Sequence, residues 1–250
     1  MRPLAQAQRP CYRAVAGGSC DVKGKAMRIG FLLYDQVTQL DMTGPAQVIS
    51  RMPGATVEYV ATTLDPVMSD CRLALVPTAT LDNVGQLDLL CVPGGFGCTA
   101  VMHDDRVLGW LRAQAPGLQY LTSVCTGSLI LAAAGLLDGR RAGCHWAWGQ
   151  YLALFGAEYV PERCVFDGNI ISAGGVTSGI DFAFRIVAHL HGADVADTIR
   201  LALEYDPDAA PGGTPATARP QIIAAMQAIN AKRMGGREAE IRAAAQQMPA

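Results

Sequence analysis

Short apolar runs of strand length recur along this chain and alternate with segments of helical length, and this alternation restricts the possible folds more than any other feature. Arg28 to Tyr34 has the length and flanks of a buried strand, and Thr56 to Thr63 alternates and is rich in β-branched residues. Leu73 to Val76, Leu87 to Val92 and Leu118 to Val124 read as further strands, and Ala157 to Ala173 holds short strand-like pieces around the turn Asp167-Gly168-Asn169. Between them a helix is expected from about Thr43, because Pro45 is tolerated in a helix's first turn. Asp105 to Gln114, Gly127 to Leu137, Thr177 to Leu190 and Val195 to Tyr205 predict four more helices. Strands alternating with helices imply an α/β domain, its mainly parallel sheet sandwiched by helices.

Composition narrows the function classes. The chain has 250 residues, 50% of them hydrophobic, enough for one domain with a sizeable core. A net charge of -2 gives no footprint for nucleic acid. No apolar run approaches the roughly 20 residues of a membrane span. Four histidines and eight cysteines contain no H-x-x-x-H or C-x-x-C pair, so no metal is expected. His189 and His191 fall near a helix end, where solvation explains them. Several cysteines lie in apolar runs, as Cys91 does, and read as buried free thiols in a reducing cytoplasm. Residues 1–26 carry Arg2, Arg9, Arg13, Lys23 and Lys25 against Asp21 without an apolar stretch, and are expected to be a disordered extension. Residues 27–207 then form the α/β domain, and residues 208–250 an irregular, proline-rich linker with an alanine-rich helical tail.

In open parallel sheets ligands bind beyond the carboxyl ends of the strands. Three such segments carry useful chemistry: Tyr34 to Gly44, Pro93 to Gly97 and Ser123 to Ser128. The last belongs to Leu121-Thr122-Ser123-Val124-Cys125-Thr126-Gly127-Ser128, a strand running into a helix with no loop. Small residues two before and two after Cys125 match a nucleophile elbow, whose tight turn brings those neighbours together. The helix that follows would favour thiolate at Cys125. Buried packing is the plainer role for a cysteine, but the turn and its small flanks point to a nucleophile. Gly94 and Gly95 can bring backbone N–H groups close to a ligand, and with the N–H of Thr126 can stabilise developing negative charge.

Asp41 stands just after the first strand and beside a helix start, so it serves either as a cap or as an acid–base partner of Cys125. His145, in Cys144-His145-Trp146, is either a base for the cysteine or a structural histidine beside an aromatic.

Together these segments resemble the PfpI-type branch of the class I glutamine amidotransferase-like superfamily. The matches are Leu40-Asp41-Met42-Thr43-Gly44-Pro45, Val92-Pro93-Gly94-Gly95, Val124-Cys125-Thr126-Gly127-Ser128, His145-Trp146, Ser172-Ala173-Gly174-Gly175 and Tyr205-Asp206-Pro207. The resemblance spans about Met27 to Pro207 and implies a flavodoxin-like, glutamine amidotransferase-like sheet and a homodimer. Protease-like members carry a histidine where this chain has Thr126, and many others a glutamate where it has Asp41. In both respects the chain is similar to the isonitrile-hydrating members of the branch.

That similarity implies a lyase that converts a small-molecule isonitrile to the N-substituted formamide without metal or organic cofactor. Asp41 would protonate the isonitrile carbon as Cys125 attacks, and water would add to the thioimidate. Thr126 would orient water or substrate, with Gly94 and Gly95 at the substrate. The chain departs from the pattern at Asp208-Ala209-Ala210-Pro211-Gly212, where an apolar stretch is usual, and at Cys144, where threonine is usual. Two other roles use the same residues. One is a glyoxalase- or deglycase-like enzyme with the same cysteine. The other is a ligand-sensing domain like those fused to AraC-type regulators, although only about 30 alanine-rich residues follow Pro220.

Overall fold

The computed structural model describes residues 26–207 and 212–248. The expected disordered extension, apart from Ala26, lies outside the described residues, as does the start of the linker at residues 208–211.

Seven strands form the main sheet. In chain order they are β1 (Met27–Leu32), β2 (Ala55–Ala61), β3 (Ala79–Thr80), β4 (Leu89–Val92), β5 (Tyr120–Val124), β6 (Cys164–Asp167) and β7 (Ile170–Ala173). Across the sheet they run β6-β7-β5-β4-β1-β2-β3. Every pairing is parallel except β6 with β7, which the Asp167-Gly168-Asn169 turn joins as a hairpin.

The helices are α1 (Gln39–Ile49), α2 (Cys98–Val101), α3 (Asp105–Gln114), α4 (Gly127–Ala133), α5 (Ser178–His191), α6 (Ala193–Ala202), α7 (Pro220–Met234) and α8 (Arg237–Gln246). Alternate residues of each buried strand serve opposite faces, as the period of two requires. Ile29, Phe31, Leu89 and Cys91 pack with Met42, Ile49, Phe182 and Ile186 of α1 and α5. Leu32, Leu90 and Val92 pack on the other face with Leu111 of α3 and Leu129 of α4. Both faces are thus covered, which explains why the strands read as continuous apolar runs.

Two expectations need correction. Leu73 to Val76 contributes only Ala74–Leu75, which pairs with Val67–Met68 in a separate ribbon. The true edge strand is the two-residue β3, too short to leave a pattern in the sequence. Helix α1 begins at Gln39, not Thr43, so Pro45 lies in its interior. The missing N–H of Pro45 leaves the Asp41 carbonyl without its usual helical donor. The bare Gly179 of α5 gives the ring room: a Cβ there would lie 3.1 Å from Pro45 Cγ.

Chain order changes direction at β1, with β2 on one side and β4 on the other. The carboxyl ends of these strands form the switch point where such sheets place their ligands. The tail also joins the body, since Ile241 and Ala244 of α8 are buried in the α3–α4 side of the core.

Candidate active site

The turn between β5 and α4 holds Cys125 at φ +60°, a left-handed conformation that a side chain adopts only when its surroundings impose it. The surroundings are visible. The Cys125 N–H donates to the carbonyls of Gly174 (2.8 Å) and Ala173 (3.2 Å) at the end of β7. On the other side Gly127 passes so close to β4 that a Cβ would lie 2.0 Å from the Val92 carbonyl oxygen. Ser123 bonds Ser128 across the turn (2.8 Å), and Ser128 donates to the Gly143 carbonyl (2.6 Å). The small flanks are therefore a steric requirement of the elbow.

Asp41 comes to the same place from α1. It is fully buried, and its Oδ2 accepts the Gly94 N–H at 2.9 Å. Its Oδ1 has no hydrogen-bond partner among the described residues. Thr38 to Asp41 has the spacing of a capping box, yet neither side chain caps the helix. The cap reading of Asp41 is thereby removed.

Burial pushes the Asp41 carboxyl up to about 7, opposed by the Gly94 N–H and the Cys125 thiol and reinforced by Asp70. Burial also raises Cys125 well above the ordinary thiol range, and the charge of Asp41 adds to this. The thiolate expected at Cys125 is corrected accordingly. A short helix end is worth about 0.3–1 kcal/mol, less than one pKa unit, whereas full burial moves a group by up to about 3–5 units. The resting sulfur is a thiol beside a carboxyl that stays protonated to near neutrality.

The glycine turn contributes differently from expectation. The Gly94 N–H is taken by Asp41, and the Gly95 N–H by Thr126 Oγ1 at 3.0 Å. The Thr126 hydroxyl also donates to the Gly95 carbonyl (3.3 Å), which ties the two turns together. It is the Thr126 N–H that reaches the Cys125 sulfur and favours its ionised form.

The DJ-1/PfpI family model matches residues 27–189. The chain belongs to that family. It is 47% identical over 200 residues to the isonitrile hydratase of Pseudomonas putida, covering 79% of this chain and 87% of that enzyme. The crystal structure of a ThiJ/PfpI family protein from Pseudomonas syringae superposes with a TM-score of 0.87 at 36% identity, covering 94% of this chain and 98% of that one. The HTH-type transcriptional regulator GbdR of Pseudomonas aeruginosa is 30% identical over 71% of this chain, but the match spans only 50% of the regulator.

In this DJ-1/PfpI chain the groups with the largest effects on Cys125 are Asp41, Cys144, Thr126 and Cys98, not His145. Its Nδ1 accepts the Ala147 N–H (3.3 Å), its ring stacks on Trp146, and burial lowers its pKa. Those contacts match the structural alternative. Three residues not singled out in the sequence also surround the pair. Tyr34, two residues past β1, donates to the Pro93 carbonyl at 2.8 Å. Cys98 opens α2 beside Thr126, and Asp70 reaches the start of α1. Tyr34 lies in a segment already marked as the end of a strand, but nothing local signals Asp70.

Gly94 sits where the three segments meet. A Cβ there would lie 2.5 Å from Thr126 N, 2.7 Å from Thr126 Oγ1 and 2.8 Å from Asp41 Oδ2. Gly94→Ala must displace the elbow or the carboxyl. A misplacement of about 1 Å costs on the order of 100-fold in rate, so a fall of that size in kcat/KM is expected. Steady-state kinetics on the purified variant, with circular dichroism to confirm folding, checks it.

Proposed function

We propose that this chain hydrates isonitriles to N-substituted formamides through Cys125 and Asp41. The observation that carries the reading is the burial of an acid-form carboxyl against the elbow thiol. The 47% identity to the isonitrile hydratase of Pseudomonas putida supports it.

An isonitrile carbon is a poor electrophile until it is protonated, so the acid form of Asp41 has a direct use. Asp41 gives its proton to that carbon while Cys125 Sγ forms a bond to it. The S–H proton returns to the Asp41 carboxylate, leaving a thioimidate, Cys125–S–CH=N–R. Water adds across C=N, its oxygen to carbon and its proton to nitrogen. The C–S bond then breaks, and the hydroxyl proton returns to sulfur as R–NH–CHO departs. The Thr126 N–H stabilises charge at sulfur, while its hydroxyl fixes the turn of Gly94 and Gly95 that shapes the substrate site. A general acid acts best with its pKa near the working pH, and about 7 fulfils that condition.

In this reading Met27 to Pro207 is the catalytic unit, opened by β1. The six described cysteines are all free thiols, which supports a reducing cytoplasmic location. No described helix is long and apolar enough to cross a membrane. In the same reading the chain forms the implied homodimer, which could cover apolar side chains left exposed near the ribbon, Leu64, Met68, Leu73 and Val76.

The test is to incubate the protein with a simple alkyl or aryl isonitrile and follow the formamide by chromatography, with an α-oxoaldehyde in parallel. Formamide production with no loss of the oxoaldehyde supports the reading. Turnover of the oxoaldehyde alone would overturn it in favour of the glyoxalase-like alternative.

A further inference from the structure

Helix α1 starts in an unusual way. Thr38 occupies its N-cap position with extended backbone, φ -74° and ψ 105°. In that position a threonine hydroxyl ordinarily accepts an N–H from the first turn, and the acid three residues on accepts the N–H of the cap. Here neither bond is made. The Thr38 hydroxyl donates to Asp70 Oδ2 at 2.5 Å, and the Thr38 N–H donates to the Gly94 carbonyl at 2.8 Å. The helix therefore forgoes a cap typically worth about 1 kcal/mol. Such a local sacrifice is characteristic of a functional site.

Asp70 is itself firmly placed. It follows Ser69, which bridges Val37, and its N–H donates to the Val37 carbonyl at 3.0 Å. Two residues earlier Met68 accepts the Gln36 N–H at 2.7 Å. The ribbon Val67–Met68/Ala74–Leu75 thus has its turn sewn to the loop between β1 and α1. Within that loop Gln36 takes a left-handed φ of +59°.

We propose that Asp70 is a positioning residue, which through Thr38 holds the first turn of α1 against the turn of Pro93-Gly94-Gly95 and so aims the Asp41 carboxyl at Cys125. This rests on the reading of Asp41 as the proton donor. A second effect accompanies the tether. The titratable groups that interact with Asp41 are Tyr34 after β1, Cys91 on β4, Cys125 at the elbow, Cys144 in the loop before Trp146, and Asp70. Burial keeps the tyrosine and the three thiols neutral at pH 7. Asp70 acts on Asp41 by charge repulsion, which favours the acid form of Asp41.

The experiment compares pH profiles of kcat for isonitrile hydration in Asp70→Asn, Asp70→Ala and Thr38→Val with wild type. Because Asp41 acts as an acid, kcat falls as pH rises past its pKa. Asp70→Asn keeps an acceptor for Thr38 but removes the charge, so the falling limb should move to lower pH while the low-pH plateau stays near wild type. Asp70→Ala and Thr38→Val break the tether and should lower the plateau by about tenfold or more. Thr38→Val, with the charge intact, should leave the limb in place.

Melting temperature against pH gives a second readout that needs no turnover. The upper end of the pH window over which stability changes should move down in Asp70→Asn as the limb does, its lower end being set by the unfolded chain. If both profiles of Asp70→Asn superimpose on wild type and Asp70→Ala keeps the full plateau, the inference is wrong. An active Asp41→Asn, measured alongside, would instead overturn the role of Asp41 itself.

Discussion

Cys125→Ala is expected to lose isonitrile hydration by about 10,000-fold or more, since a nucleophile that forms the covalent intermediate has no substitute. The protein should remain folded. The change removes one sulfur from a site whose main constraint is the backbone: φ of +60°, the N–H bonds to Ala173 and Gly174, and the contact of Gly127 with Val92. Alanine at that φ costs no more than cysteine, because both carry a Cβ. Cys144→Ala is the matched control. That thiol is also buried, and burial with the nearby Cys98 raises its pKa, but it does not sit on a strand-to-helix turn. It should keep a rate close to wild type. Formamide release by both proteins, measured at saturating substrate, separates a general effect of losing a buried thiol from a specific role at the elbow.

The second large effect is at Asp41. Asp41→Asn keeps the shape and an acceptor for the Gly94 N–H but cannot deliver the proton, so kcat should fall by about 100- to 10,000-fold. The same variant makes a sharp prediction about stability. The carboxyl ionises at its ordinary value of 3.8 in the unfolded chain but only at about 7 in the folded one. Between those values the folded state binds more protons than the unfolded state, so stability falls as pH rises across the window and levels off above it. A shift of that size corresponds to a penalty on the order of 4 kcal/mol at pH 8. Asparagine carries no such penalty. The melting temperature of Asp41→Asn minus that of wild type should therefore grow from pH 4 to pH 7 and then plateau. A flat difference would show that Asp41 titrates normally and has been given the wrong role. Loss of rate with gain of stability is the expected signature of a functional group held in an unfavourable environment.

What the sequence revealed and what it concealed follow from how local each feature is. The elbow could be read because its requirements lie within five residues, from Ser123 to Gly127, and because an apolar strand running into a helix leaves a continuous pattern. The two-faced sheet was equally legible, since burial on both faces makes β4 a plain apolar run and leaves β1 interrupted only by the exposed Arg28. The start of α1 was misplaced because the rule that confines proline to the first turn ignores what packs against it, and Gly179 makes room for Pro45. The protonation state of Cys125 was misjudged for a similar reason. A helix terminus is visible in sequence, whereas the burial that outweighs it is a property of the assembled site. Asp70 stayed hidden because its placement depends on a ribbon of two-residue strands, too short for periodicity to register.

The mechanism requires a covalent bond between Cys125 and the isonitrile carbon, and that bond can be looked for directly. Wild-type protein mixed with excess isonitrile is quenched in acid within one turnover, digested, and mapped by mass spectrometry. The peptide bearing Cys125 should gain the full mass of the isonitrile, and this species should decay as formamide appears and be absent from Cys125→Ala. Formamide appearing at the normal rate with no adduct on Cys125, or with the adduct on Cys98 or Cys144, would contradict the mechanism.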